Sequence, residues 1–168
     1  MARKIRSVFV LCACLMTGGL LLAKGDNMTV NERRPAAAGE LYALESAYGA
    51  EQTVLRVKEI LKELQIPVFA EFDHARNARE VQLEMPPATV IVFGSPAVGT
   101  RLMQQNPEAA AVLPLKILVW EDSAGVTRAG FVRMELLAAR YGLGGNPVIG
   151  KMKTLLENIV MRAVSKTR

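Results

Sequence analysis

The sequence holds one histidine, His74, and it directly follows Asp73. A carboxylate beside an imidazole is the pairing from which general bases are built. Successive strand side chains point to opposite faces, so Asp73 could orient His74 only where a strand has already ended. The plainer reading, favoured here, makes Asp73 the N-cap of a short helix and leaves the imidazole to a backbone carbonyl. A second place is Gly94-Ser95-Pro96-Ala97-Val98-Gly99-Thr100, between an apolar run and a helical stretch. Backbone N–H groups at such a junction could hold an anion. The run lacks the lysine and the glycine spacing of phosphate-binding and dinucleotide-binding loops. Its structural alternative is a tight turn with Gly99 opening the helix. Lys116 could neutralise an acidic ligand or stand exposed on a strand. The candidate ligand-binding residues are therefore Asp73, His74, Gly94, Ser95, Pro96, Gly99, Thr100 and Lys116, and no catalytic set is assigned.

Metal and cofactor chemistry finds little support. Both cysteines, Cys12 and Cys14, lie in an N-terminal stretch that reads as an export segment, and one histidine with no mature cysteine cannot supply the three or four ligands that zinc prefers. Glu121-Asp122 is the sole adjacent acidic pair, at a place that reads as a hairpin turn. No Cys-x-x-Cys-His is present, which excludes covalent c-type haem. Met85, Met103, Met134, Met152 and Met161 read as core fillers rather than axial ligands. No metal or cofactor is expected.

These residues sit in a chain of 168 residues, 51% apolar and 22% charged, enough for one domain with a real core. The first 23 residues read as an export segment. Arg3, Lys4 and Arg6 form a basic flank, Ser7 to Ala23 is apolar, and Lys24-Gly25-Asp26 restores polarity. Cleavage after Ala23 is the favoured outcome. An uncleaved anchor or a lipoprotein with Cys14 as the lipidated residue are the alternatives. Export to the periplasm or the outer face of the cytoplasmic membrane follows, with membrane contact only through this segment. Without the first 23 residues, 18 basic side chains face 16 acidic ones, a balance of +2. So small an excess gives no electrostatic footprint for nucleic acid. Both cysteines leave with the segment, so the mature domain contains no disulfide and relies on its core.

Residues 24–39 are polar, then rich in alanine and proline, and read as a linker to a single domain over 40–168. Leu41 to Tyr48 reads as a strand. Glu51 to Leu64 reads as a helix with Val54, Val57, Leu61 and Leu64 on one stripe. Ile66 to Phe72 alternates as a strand, and Ala75 to Val81 follows as a short helix. Thr89 to Phe93 is continuously apolar, as in a strand buried on both faces. A short helix spans Gly99 to Gln105. Leu115 to Glu121 and Val126 to Val132 flank a turn as a hairpin. Met134 to Tyr141 is a short helix stopped at Gly142. Asn146 and Pro147 then open a last helix with Ile149, Met152, Leu156, Ile159 and Ala163 on its stripe. The order β-α-β-β-β-β-α, with hairpin-like neighbours, predicts a two-layer α+β domain: a mostly antiparallel sheet with helices on one face.

Three segments carry a resemblance across nearly all of this domain: IPVFAEFDHARNARE (Ile66 to Glu80), PPATVIVFGSPAVGTRLM (Pro86 to Met103) and LPLKILVWED (Leu113 to Asp122). Together they resemble the bacterial family called domain of unknown function 302. The resemblance implies helices on a curved antiparallel sheet related to that of TATA-box-binding protein, and it implies no activity. The chain departs from the family pattern at Ser95, where asparagine is usual, and at Val112, where an acidic residue is common. Any site built on those two side chains is altered here.

One strand is unusual. Leu115, Ile117 and Val119 fall on one face of their strand, and Lys116, Leu118 and Trp120 on the other. A wet face should be more polar, so the second face is expected to meet a loop, a ligand or a second subunit. A homodimer through the face carrying Leu118 and Trp120 is the expected partner arrangement. The favoured function is a non-catalytic envelope domain that binds a small ligand or partner. The alternative is a hydrolase or isomerase using Asp73 and His74 next to the Gly94–Thr100 turn.

Overall fold

The computed structural model describes residues 39–166. The export segment, with Cys12 and Cys14, and nearly all of the linker lie outside the described residues. The elements run β1 (Leu41–Glu45), α1 (Ala50–Glu63), β2 (Val68–Asp73), α2 (His74–Glu80), β3 (Ala88–Phe93) and α3 (Pro96–Gln105). A 3-10 turn at Pro107–Ala111 leads to β4 (Leu115–Glu121), β5 (Thr127–Val132), α4 (Met134–Arg140) and α5 (Pro147–Val164). The strands form one sheet in the order β1-β5-β4-β3-β2, with every neighbouring pair antiparallel. This is the two-layer α+β arrangement that the sequence predicts.

Alternation along β4 sets the layers. Leu115, Ile117 and Val119 are buried, and they pair across the sheet with Phe93, Ile91 and Thr89 of β3. They share one core with Val57 and Leu61 of α1 and with Leu156 and Ile159 of α5. Each such side chain contributes roughly 1.5–3 kcal/mol when fully buried. Helix α5 forms where its signals say it should. The Asn146 side chain accepts the Val148 N–H at 2.9 Å, and Pro147 fills the first position. The other end of α5 is tied to α1. The Arg56 guanidinium donates to the carbonyls of Ala163, Arg162 and Ser165 at 2.8, 2.9 and 3.1 Å, and it lies over the Tyr48 ring. Carbonyls that a helix end leaves without partners are thereby satisfied.

Gly130 of β5 is required by close approach. A Cβ there would run into the Tyr42 carbonyl oxygen of β1 and the Cα and Cβ of Ala43. The hairpin turn before β5 is held by Asp122, whose carboxylate accepts the N–H groups of Ala124 and Val126 and pairs with Arg128 at 2.7 Å. The Arg128 hydrogen bond, followed by the two backbone bonds, holds the Asp122 carboxyl below its usual range.

Two local expectations change. Helix α3 begins at Pro96, so Gly99 lies inside its first turns instead of opening it. A proline at the first helical position and Ser95 before it outweigh the pull of the glycine. Strand β2 forms, but Val68, Ala70 and Phe72 do not alternate as one row: it is an edge strand whose register shifts between Val68 and Ala70. Val68, Phe69 and Phe72 are consequently exposed.

The face opposite the helices is apolar. Its rows follow from the register: Ala43, Gly130, Leu118, Val90 and Phe72 lie side by side across all five strands. Trp120, beside Ala88 and Arg128, and Val92, beside Lys116 and Ala70, flank that row.

Candidate functional site

Strand β3 leaves the sheet at Phe93, and the chain turns through Gly94 and Ser95 into α3. Beneath this turn lies a cavity of about 330 Å³. The turn and helix supply Gly94, Ser95, Pro96, Val98, Gly99, Thr100 and Met103. Ile66 and Phe69 close it from β2 and its approach, Leu113 and Pro114 from the loop before β4, and Met152 and Leu155 from α5. Among the described residues, Ser95 and Thr100 are its only polar side chains, and no charged side chain lines it. Ser95 occupies the N-cap position of α3 without a side-chain cap, so its hydroxyl is not committed to the helix.

Five of the eight residues singled out from sequence therefore line one cavity: Gly94, Ser95, Pro96, Gly99 and Thr100. The other three do not. Asp73 ends β2 and its carboxylate accepts the Arg76 N–H at 2.9 Å, which makes it the N-cap of α2. His74 is the first residue of that helix and is exposed. Asp73 pairs with Thr89, at the opposite end of β3 from Gly94. The rise of a strand places the two ends roughly 15 Å apart. The proposed pairing of Asp73 and His74 with the Gly94–Thr100 turn is thus corrected. Antiparallel pairing of β2 with β3 sends the end of one strand to the start of the other.

Lys116 needs a second correction. Its ammonium donates to the carbonyls of Val112 and Pro114, at 3.2 and 3.0 Å. Partial burial lowers its pKa from the ordinary lysine value. The side chain clasps the loop that forms one wall of the cavity and is not among the residues lining it.

Sequence reading missed Ile66, Phe69, Met103, Leu113, Pro114, Met152 and Leu155 as cavity residues. They come from four separate stretches, and an apolar residue in a cavity wall has the same local signature as one in the core. Among the described residues no group of three or more histidine, cysteine, aspartate or glutamate side chains is placed to hold a metal ion. No helix of the described residues is long and apolar enough to cross a membrane.

Fold and cavity together define a small α+β domain with an apolar pocket into which Ser95 and Thr100 bring the polar side chains. The model of the family "Domain of unknown function DUF302" matches residues 42–159, and the chain belongs to that family. The crystal structure of an uncharacterized conserved DUF302 protein from Bacillus stearothermophilus superposes with a TM-score of 0.63 at 21% identity. That match covers 73% of this chain and 97% of the other, and it shows the shared fold. Two curated relatives match over 104 residues at 36% identity: Fluoride-specific ion channel FluC 1 of Brucella suis biovar 1 (strain 1330) and FluC 1 of Brucella abortus biovar 1 (strain 9-941). In each case 62% of this chain is matched, against 41% and 38% of the relative. The chain spans about two fifths of the length of these curated relatives.

Proposed function

We propose that this protein is a non-catalytic, exported binding domain whose cavity takes a small apolar ligand, such as a single acyl or isoprenoid chain. The observation that carries this reading is the lining of the cavity among the described residues: apolar walls, two hydroxyls and no charge. Binding pockets for small molecules are concave and mostly apolar, with a few polar groups that fix orientation. Acid–base or nucleophilic catalysis would need converging titratable groups, and the one histidine stands elsewhere. Ser95 and Thr100 supply orientation for a polar head group. Native mass spectrometry of the protein taken from its own envelope tests this. A retained apolar molecule, lost on heating and restored from a lipid extract, is the expected result. Ligand-free protein that also fails to take up any component of that extract overturns it.

A second reading rests on the Brucella relatives. A match of 104 residues is too long to lie ahead of β1, so it includes part of this domain. In proteins named as fluoride channels, a domain of this kind would be an accessory attached to the conducting part. A free-standing copy would then associate with a separate membrane channel. Co-purification with a fluoride channel of the same cell, and greater fluoride sensitivity on deletion, are the expected results. Unchanged fluoride tolerance with no co-purifying channel removes this reading.

A further inference from the structure

The open face of the sheet is a surface built to be covered. Along its middle row Ala43, Gly130, Leu118, Val90 and Phe72 are all apolar or glycine, and Trp120 stands beside them. The rims carry Leu41, Val132 and Phe72, exposed at 39%, 45% and 48%. Antiparallel sheets with a solvated face alternate apolar with polar residues, and this one does not. Its charges already have partners within the protomer. Arg128 pairs with Asp122 at 2.7 Å, and the Lys116 ammonium is turned onto two carbonyls. Glu45 alone stands at a corner, where it can stay in water. Covering the face would therefore strand no charge in the middle of an interface.

The geometry points to a second copy of this chain as the occupant, packed sheet on sheet about a two-fold axis. Small ligands need concavity. Leu118 and Trp120 do not line the apolar cavity. A regular sheet face presents the same surface to its copy, which is the requirement of an isologous contact. Five strands about 4.8 Å apart and ~20 Å long give a footprint of roughly 480 Å². With the exposed rims, a facing copy covers on the order of 600 Å² per partner, the low end for stable interfaces. An interface of this size suits a dimer that dissociates on dilution. This inference stands apart from the ligand reading, since the cavity lies at the end of β3 and not on the open face.

Trp120 is the only tryptophan, so its emission reports this face alone. The experiment follows native mass and Trp120 emission of the processed protein across a dilution series. A twofold fall in mass, accompanied by a red shift of the emission, is expected on dilution through the micromolar range. Leu118→Glu should give the monomer mass at every concentration. Val132→Glu, at an exposed rim position that poses no threat to folding, should weaken association at least tenfold. Leu55→Glu, on the outer side of α1, should leave it unchanged. A wild-type monomer at 100 micromolar overturns the proposal whatever its emission. Blue emission in that monomer would mean that the chain's own preceding residues cover the face, and red emission that nothing does. A dimer that survives both sheet-face variants also overturns it.

Discussion

Replacing Gly99 separates the cavity from the helix that roofs it. Gly99 lies in the interior of α3, where glycine costs about 0.8–1.0 kcal/mol relative to alanine. A Cβ at this position would meet Leu113 Cδ1 at 3.9 Å and Met103 Cε at 4.0 Å, which are ordinary contacts. Gly99→Ala should therefore stabilise the protein by about 0.5–1 kcal/mol, a rise in Tm of roughly 2–5 °C for a domain of this size. Gly99→Leu keeps most of that helical gain and adds an isobutyl group to a cavity of about 330 Å³. Its Tm should not fall, while affinity for an apolar fluorescent probe should drop at least tenfold. Thermal unfolding and probe titration on the same samples measure both. A leucine variant that loses stability would mean that the space is already filled by packing. A leucine variant that binds the probe as tightly as the parent would place the ligand elsewhere.

Other outcomes follow from single contacts. Gly130→Ala forces a methyl group into the β1 backbone and should cost about 1–3 kcal/mol or more, read by urea unfolding. Asp73→Ala removes the N-cap of α2 and should cost about 1 kcal/mol, while His74→Ala should change neither stability nor probe binding. A loss of ligand binding in the histidine variant would restore that residue to the site. Asp122 has a folded pKa below its ordinary value of 3.8, so the stability it adds is present above that value and is lost as pH falls through the folded value. Asp122→Asn should thus be less stable than wild type at neutral pH, and the gap should close as the pH drops below about 4 in acid denaturation curves.

The helices were legible because their signals are local and mutually consistent. Asn146, Pro147 and the stripe from Ile149 to Ala163 specify α5 within one stretch of chain. Alternation along Leu115 to Trp120 likewise reveals both faces of β4, and the odd apolarity of one of them. The cavity was half legible. The Gly94–Thr100 turn is visible because glycine and proline punctuate the sequence. The opposing wall depends on Phe69, Leu113 and Leu155 meeting in space, and nothing in their neighbourhoods distinguishes a wall from a core. The N-cap role of Asp73 was legible, whereas its alternative pairing with His74 beside the Gly94–Thr100 turn was not met, because adjacency along the chain only resembles chemistry. Register, which places Asp73 opposite Thr89, is decided by pairing between strands.

The irregularity in β2 bears on how copies of this protein can meet. A free sheet edge accepts another strand, and repeated addition runs on into a filament. The register shift between Val68 and Ala70 breaks the straight ladder that a neighbour would need. Growth along the edge is thereby discouraged, although Phe69 and Phe72 would otherwise reward it. The bulge leaves open the broad face, where the association proposed above would close after two copies. In the proposed dimer, a small interruption at the sheet margin would favour an assembly of countable size over an endless polymer.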